Sequence, residues 1–297
     1  MQAQELGSVI TAMATPFRGD GSLDLDGVQR LAAHLVATGT DTIVVNGTTG
    51  ESPTLRGDEA WQVLAATIDA VGDDGLVMMG TGTNDTDATV AKTQRATEAG
   101  ADAVLVVTPY YSRPSQAALV QHFTTVAEAT TLPCMLYDVP SRTATEIALD
   151  TIVTLAQVDN IIGVKDAVAN VAKTAEIVAG TRSAPGSFGV WSGADEVNLP
   201  VLAVGGTGFV SVAAHLVGPQ LAEMARLFPS APDKARDIHL ALLPLCRALF
   251  AEPSPAPLKG ALARLGLPAG PVRGPLLDAS PAAVDAVMDA LAVATAR

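Results

Sequence analysis

Basic residues are scarce in this chain. Eighteen Lys and Arg face thirty-one Asp and Glu over 297 residues, a formal net charge of −13. Phosphate neutralisation needs clustered Lys and Arg, so no nucleic-acid partner is expected, and the acid excess reads as solubility. Cysteine is scarcer still, with Cys134 and Cys246 alone and no CxxC pair. Two cysteines make no disulfide framework, and Cys134 sits in the apolar run Cys134-Met135-Leu136, where a buried free thiol is ordinary. The four histidines, His34, His122, His215 and His239, are scattered without ligand spacing, so no metal site is expected. The N-terminus lacks a basic segment followed by an apolar one, which predicts no secretory signal. The longest apolar stretch, near Leu240 to Cys246, is too short for a bilayer and runs into Arg247. The expectation is a cytoplasmic protein with no membrane partner.

Hydrophobic residues make up 48% of the chain, enough for one sizeable core or two smaller ones. Their pattern alternates. Short apolar runs fall at Val9–Ala14, Thr42–Val45, Leu76–Met79, Ala103–Val107, Cys134–Tyr137, Ile161–Val164, Phe188–Trp191 and Phe209–Val210. Most are continuous, as strands buried on both faces are. Helical periodicity lies between them, at Leu25–Leu35, Glu59–Ile68, Ala88–Ala99 and Val197–Val204. Asp24, Asp58, Asp85 and Asp195 stand where these helices begin, and Gly39 and Gly100 where two end. Eight strands alternating with helices predict a parallel sheet, and eight is the number that closes a (β/α)8 TIM barrel. An open doubly wound sheet is the alternative. It ordinarily carries GxGxxG after an early strand. Gly80-Thr81-Gly82 lacks the third glycine, and Gly205-Gly206-Thr207-Gly208 precedes a short strand. The pattern changes after residue 228, where prolines punctuate three helical segments at about Asp233–Phe250, Leu258–Leu265 and Pro281–Ala294. The reading is a barrel over residues 1–228 and a C-terminal helical extension over 229–297, with Ser280 capping the last helix and Pro281 at its first position.

Active sites of such barrels lie at the C-terminal ends of the strands. There the sequence places Asn46 to Glu51 after the second run, Thr108-Pro109-Tyr110-Tyr111 after the fourth, and Tyr137 to Arg142 at the end of the fifth. Lys165-Asp166 follow the sixth run, Ser192-Gly193 the seventh, and Val210 lies in the eighth. Tyr and Thr hydroxyls relay protons, and Arg142 suits a carboxylate through paired hydrogen bonds. A lysine closing an apolar strand is partly desolvated, which favours the neutral amine that carbonyl attack requires. Taken singly, each has an ordinary reading: a lysine reaching solvent, a packed tyrosine, a glycine-bounded turn, an arginine in a surface ion pair. Their joint placement at strand ends is what points to chemistry.

Gly47-Thr48-Thr49-Gly50-Glu51 with Ser52, Thr108 to Tyr111 with Arg113-Pro114-Ser115, Tyr137 to Arg142, and Lys165 stand in an order and spacing that resemble the dihydrodipicolinate synthase / N-acetylneuraminate lyase family of class I aldolases. The likeness covers nearly the whole chain. It implies that Lys165 forms a Schiff base with pyruvate, with no cofactor beyond that covalent imine. It also implies that Tyr137 moves protons and that Thr48 links it to Tyr111, a residue reaching in from a neighbouring subunit. By the same resemblance Thr49 and backbone near Gly193 and Val210 bind pyruvate, Arg142 holds L-aspartate 4-semialdehyde, and the assembly is a homotetramer built from two tight dimers. The Thr48-Thr49 pair, Val139 to Thr143 and the Pro253 to Lys259 stretch resemble the synthase branch. Asp138 stands where many synthases carry Asn, and an aspartate there is also common in the sugar-acid lyases. Asp166 replaces a common Glu, and Ala144 a common Gly. Around the position of the effector pocket in lysine-inhibited members, Gly57, Ala60 and Ala88 replace the usual His or Glu, while Ser52, Asn84 and Tyr110 remain, which predicts weak or absent lysine feedback. A sugar-acid aldolase and a non-catalytic ligand-binding barrel stay open as alternatives.

Overall fold

The structure is a computed structural model, and it describes residues 2–296. Eight strands follow one another in the order of the chain and close into a barrel. They are β1 (Val9–Ala12), β2 (Thr42–Val45), β3 (Leu76–Gly80), β4 (Ala103–Val107), β5 (Cys134–Asp138), β6 (Ile161–Asp166), β7 (Gly189–Ser192) and β8 (Gly208–Ser211). The helices are α1 (Leu25–Ala37), α2 (Glu59–Val71), α3 (Thr86–Glu98), α4 (Gln116–Glu128), α5 (Pro140–Thr143), α6 (Leu149–Leu155), α7 (Val171–Gly180), α8 (Asn198–Ala203), α9 (Ala214–Leu227), α10 (Pro232–Ala248), α11 (Ala256–Arg264) and α12 (Pro281–Thr295). The fold is thus the expected (β/α)8 barrel with C-terminal helices, and the open-sheet alternative falls.

The strands run one or two residues past several expected ends. Apolarity stops at Val164, yet β6 continues through Lys165 and Asp166, because backbone pairing with β5 goes on to Tyr137↔Lys165 and Asp138↔Asp166. Pairing is a main-chain property, and hydropathy does not mark where it stops. β1 is shorter than expected, ending at Ala12 rather than Ala14. Asp24 and Asp85 cap as expected, accepting from Gly27 and Ala88 N–H. Asp58 makes no cap bond, and Asp195 sits in a 3-10 turn ahead of α8, accepting instead from the Asn198 side chain at 3.1 Å.

The chain groups into two compact units. One takes the stretch up to Ser8 with Met78–Val210. Its centre holds Trp191, fully buried, with the indole N–H donating to Gly7 O at 3.0 Å. Gly163 and Gly189 make room for that ring: a methyl added at either would lie 2.6 or 2.4 Å from it. Burying roughly 150–250 Å² of aromatic surface gives about 4–6 kcal/mol, so the two glycines are set by packing. Helices α3, α4, α6, α7 and α8 pack successively alongside.

The other unit takes Val9–Val77 and the stretch from Ser211 on. Val28, Leu31 and Leu35 on α1 and Val63 and Leu64 on α2 recur at helical spacing and are fully buried. Each thereby turns one apolar face inward, and the two helices pack on each other. Helix α9 packs on β1 and carries a kink at Val217, two residues ahead of Pro219, whose missing N–H interrupts the hydrogen-bond ladder. Helix α10 packs on α9 and α12, and α11 on α12. Ser280 caps α12 through the Ala283 N–H, with Pro281 at its first position.

Candidate active site

Lys165 is the focus of the first unit. It is only 6% exposed, and its Nζ lies 4.3 Å from the centroid of the Tyr137 ring on the neighbouring strand. The parallel register produces this contact, because residues opposed in β5 and β6 turn the same way. Among the described residues the Lys165 side chain makes no ion pair. The other two buried lysines differ: Lys173 pairs with Asp138 and Glu146, and Lys259 pairs with Glu51. Buried charges are ordinarily paired, so a buried lysine facing an aromatic ring with no carboxylate is built for something other than holding the fold.

Gly193 completes this corner. Its N–H donates to Asp166 O at 2.7 Å, just past β7. A methyl added there would stand 2.7 Å from Ala167 Cβ and 3.1 Å from Lys165 Cγ. The absent side chain therefore leaves space for the Lys165 stem. Val210 on β8 is 2% exposed.

Asp138, the last residue of β5, is 1% exposed. Its Oδ2 accepts from Lys173 Nζ at 2.8 Å and its Oδ1 from Ile147 N–H at 3.2 Å. Lys173 Nζ also donates to Glu146 Oε1 at 2.6 Å and Ile147 O at 3.0 Å. Burial pushes the Asp138 carboxyl up to about 6 against the pull of Lys173. Burial also works against the Lys173 charge, but hydrogen bonds to Asp138 and Glu146 outweigh it and hold that ammonium above the ordinary lysine range. Arg142 rides on α5, exposed, and among the described residues its guanidinium makes no ion pair. It is free to meet a carboxylate from solution.

Tyr111 stands apart. It is 90% exposed, with a backbone φ of 73° in the left-handed region. A bulky residue rarely adopts that conformation, and here it projects a phenol into solvent.

Thr48 and Thr49 belong to the second unit, in the turn after β2. Thr49 is 4% exposed and Thr48 half-buried. Asn46 and Glu51 bracket the turn with a φ of 55° each. The Thr15 hydroxyl donates to Gly50 O at 2.7 Å. Glu51 is held from far along the chain, its Oε1 accepting from Lys259 Nζ at 2.7 Å and its Oε2 from Arg273 N–H at 2.8 Å. The Lys259 ammonium also lies 4.3 Å from the centroid of the Phe17 ring. Burial holds it below the ordinary lysine range in spite of Glu51. Arg273 donates to Glu59, whose carboxyl this hydrogen bond keeps below its usual range.

The structure thus brings Lys165, Tyr137 and Gly193 together and leaves Tyr111 in solvent. Sequence reasoning overlooked Lys173 and Arg273. A lysine three residues past the helix cap Asn170 reads as a surface residue. The only hint was Asp138, a carboxylate at the end of an apolar strand that needs a cation. Among the described residues no three His, Cys, Asp or Glu side chains gather as a metal site needs, and no helix is long and apolar enough to cross a membrane.

Comparison with known proteins shows the family. The profile of the dihydrodipicolinate synthetase family matches residues 5–294. A 4-hydroxy-tetrahydrodipicolinate synthase of Moorella thermoacetica is 47% identical over 275 residues, covering 92% of this chain and 93% of its own. Among solved structures, a dihydrodipicolinate synthase of Bacillus anthracis superposes with a TM-score of 0.93 at 41% identity, covering 98% of each chain. One from Cyanidioschyzon merolae, solved with lysine bound, gives a TM-score of 0.94 at 38% identity, covering 97% of this chain and 98% of the other.

Proposed function

The chain belongs to the dihydrodipicolinate synthetase family, and on that premise we propose that it catalyses the 4-hydroxy-tetrahydrodipicolinate synthase reaction, condensing pyruvate with L-aspartate 4-semialdehyde on the way to lysine and diaminopimelate. The observation that carries this reading is Lys165, buried without a countercharge 4.3 Å from the centre of the Tyr137 ring.

The neutral Lys165 amine adds to the keto carbon of pyruvate, and loss of water leaves an iminium. The positive nitrogen draws electrons from the adjacent methyl, so a proton leaves and an enamine forms. The enamine carbon attacks the semialdehyde carbonyl, and the resulting alkoxide takes a proton. The amine of the second substrate then adds to the imine carbon and expels Lys165, which closes the ring and restores the enzyme. The iminium serves as electron sink, so no cofactor enters the scheme. Tyr137 is assigned the proton transfers, with Thr48 and Tyr111 as its relay, a general acid–base contribution of about 10²–10⁴-fold. Thr49 and backbone at Gly193 and Val210 are assigned to pyruvate, and Arg142 to the carboxylate of the semialdehyde.

Tyr111 can join that relay by entering the site of a second copy, which its exposure and left-handed backbone support. A homotetramer made of two tight dimers, working in the cytoplasm, completes the proposal. It keeps residues 1–228 as the barrel and 229–297 as its extension; the outermost positions, 1 and 297, lie outside the described residues. The test is borohydride reduction with pyruvate, followed by peptide mass analysis, beside a coupled assay with both substrates and a Lys165→Ala control. A reduced pyruvate adduct on Lys165 and condensation lost in the variant are expected. An unmodified Lys165, or cleavage of N-acetylneuraminate in place of condensation, would overturn the assignment.

A further inference from the structure

The segment that carries Arg142 is pinned on its inner side by buried Val139 and Thr143, the Thr143 hydroxyl bonding Val139 O at 3.2 Å and Thr145 O at 2.8 Å, while its outer side is bare. Helix α5 is four residues long, far below the length at which a helix is stable by itself. Ser141, Arg142, Ala144 and Glu146 are exposed. The segment leaves β5 at Asp138 and returns at Ile147. Both backbone groups of Ile147 are held at that closure: the N–H by Asp138 Oδ1 at 3.2 Å, the carbonyl by Lys173 Nζ at 3.0 Å. The same ammonium holds Asp138 at 2.8 Å and Glu146 at 2.6 Å. One cation from α7 therefore fastens both ends of the loop. A second, outer tie comes from Gln116, which donates to Glu146 O and accepts from Ala148 N–H, each at 2.9 Å. The outer tie reaches the returning segment alone.

We infer that Lys173 is a positioning residue for the second substrate: it closes the Asp138–Ile147 loop and so sets where Arg142 meets the incoming carboxylate. This rests on the proposed condensation. Lys173 does not touch the pyruvate corner. Its acceptors are Asp138, Glu146 and Ile147, whereas Lys165 faces the Tyr137 ring and Gly193. Losing it should loosen recognition of the semialdehyde and spare imine formation. A purely structural lysine would disturb both alike.

The experiment compares Lys173→Met, Lys173→Arg and the double variant Lys173→Met/Asp138→Asn with the unaltered chain. The double variant removes the carboxylate that Lys173→Met strands, keeps an acceptor for Ile147 N–H, and stays informative if the single variant fails to fold. Two saturation curves are read: pyruvate by borohydride trapping on Lys165, and semialdehyde by the coupled assay at saturating pyruvate. In the methionine variants the semialdehyde KM should rise about tenfold, an order below the ~10²-fold that a 1 Å misplacement can cost, while half-saturation by pyruvate stays within about twofold. Lys173→Arg should recover most of the loss. Equal rises for both substrates, or an unchanged semialdehyde KM in a folded methionine variant, would overturn the inference. Failure to trap pyruvate on the unaltered chain would instead remove the Schiff-base reading, and this inference with it.

Discussion

Replacing Gly193 by Ala tests how tightly Lys165, the proposed nucleophile, is set. The glycine backbone is not in the left-handed region, so alanine meets no conformational penalty and the whole effect is contact. The new methyl would lie 2.7 Å from Ala167 Cβ, 3.1 Å from Ala167 Cα and 3.1 Å from Lys165 Cγ. Carbon atoms at rest sit about 3.5–4.0 Å apart. Relief therefore needs roughly 1 Å at Ala167 and about half that at the lysine stem. Overpacking of this kind costs about 1–3 kcal/mol, and a fractional-ångström shift of the attacking amine should slow imine formation about tenfold. Removing the Ala167 methyl separates the two effects. In Gly193→Ala/Ala167→Gly the nearest clash is gone while the lysine contact stays, so stability should return and trapping should remain slow. Urea denaturation and the rate of borohydride-trapped adduct are the measurements. A Gly193→Ala protein that traps pyruvate within twofold of the parent rate would refute the idea that Gly193 is kept bare for Lys165.

Three further outcomes follow from buried groups and exposed loops. His215 accepts from Ala14 N–H at Nε2 and bonds Val212 O through Nδ1, so it is neutral, and burial pushes it down from 6.5 to about 4. The unfolded chain takes up this proton first as pH falls. Stability from this group is thus whole above pH 6.5 and declines to about pH 4, by about 3 kcal/mol at 1.36 kcal/mol per unit. Urea midpoints across that range check it, and an equal slope in His215→Asn would contradict it. Lys259→Met strands Glu51 in the interior and should cost about 3–5 kcal/mol; a loss under about 1 kcal/mol would show that Arg273 alone suffices. Gly57, Ala60 and Ala88 offer no charged or imidazole group, so half-inhibition by lysine should not occur below about 1 mM, the upper end of common effector and KM ranges, and a sub-millimolar half-effect in an inhibition curve would reject this.

Much of the fold is legible in the chain because its barrel strands are buried on both faces and so appear as apolar runs. Helices were less legible. α4 and α7 mix Ala, Thr and Val, α6 is only seven residues long, α9 is interrupted at Gly218-Pro219, and no expectation marked their limits. The site was legible where residue type and strand end coincide, as at Lys165 and Tyr137. It was not where partners meet only through folding. Nothing near Glu51 announces Lys259, 208 positions away, and Asp138 calls for a cation without marking which lysine answers it, 35 positions on. Ion pairs of this span leave no periodicity to read.

The tie between Glu51 and the far end of the chain also has a consequence in time. During synthesis the Thr48–Thr49 turn emerges early, but both groups that hold Glu51, the Lys259 ammonium and the Arg273 amide, arrive more than 200 residues later. At about 5–20 residues per second the turn waits roughly 10–40 s for its anchors. A nascent chain cut short between Lys165 and Lys259 carries Thr48, Thr49 and Lys165 without the clasp on Glu51 that sets the turn. The turn is thus fixed only by residues delivered late, Lys259 and Arg273, and a chain that stops before them is expected to carry it unanchored.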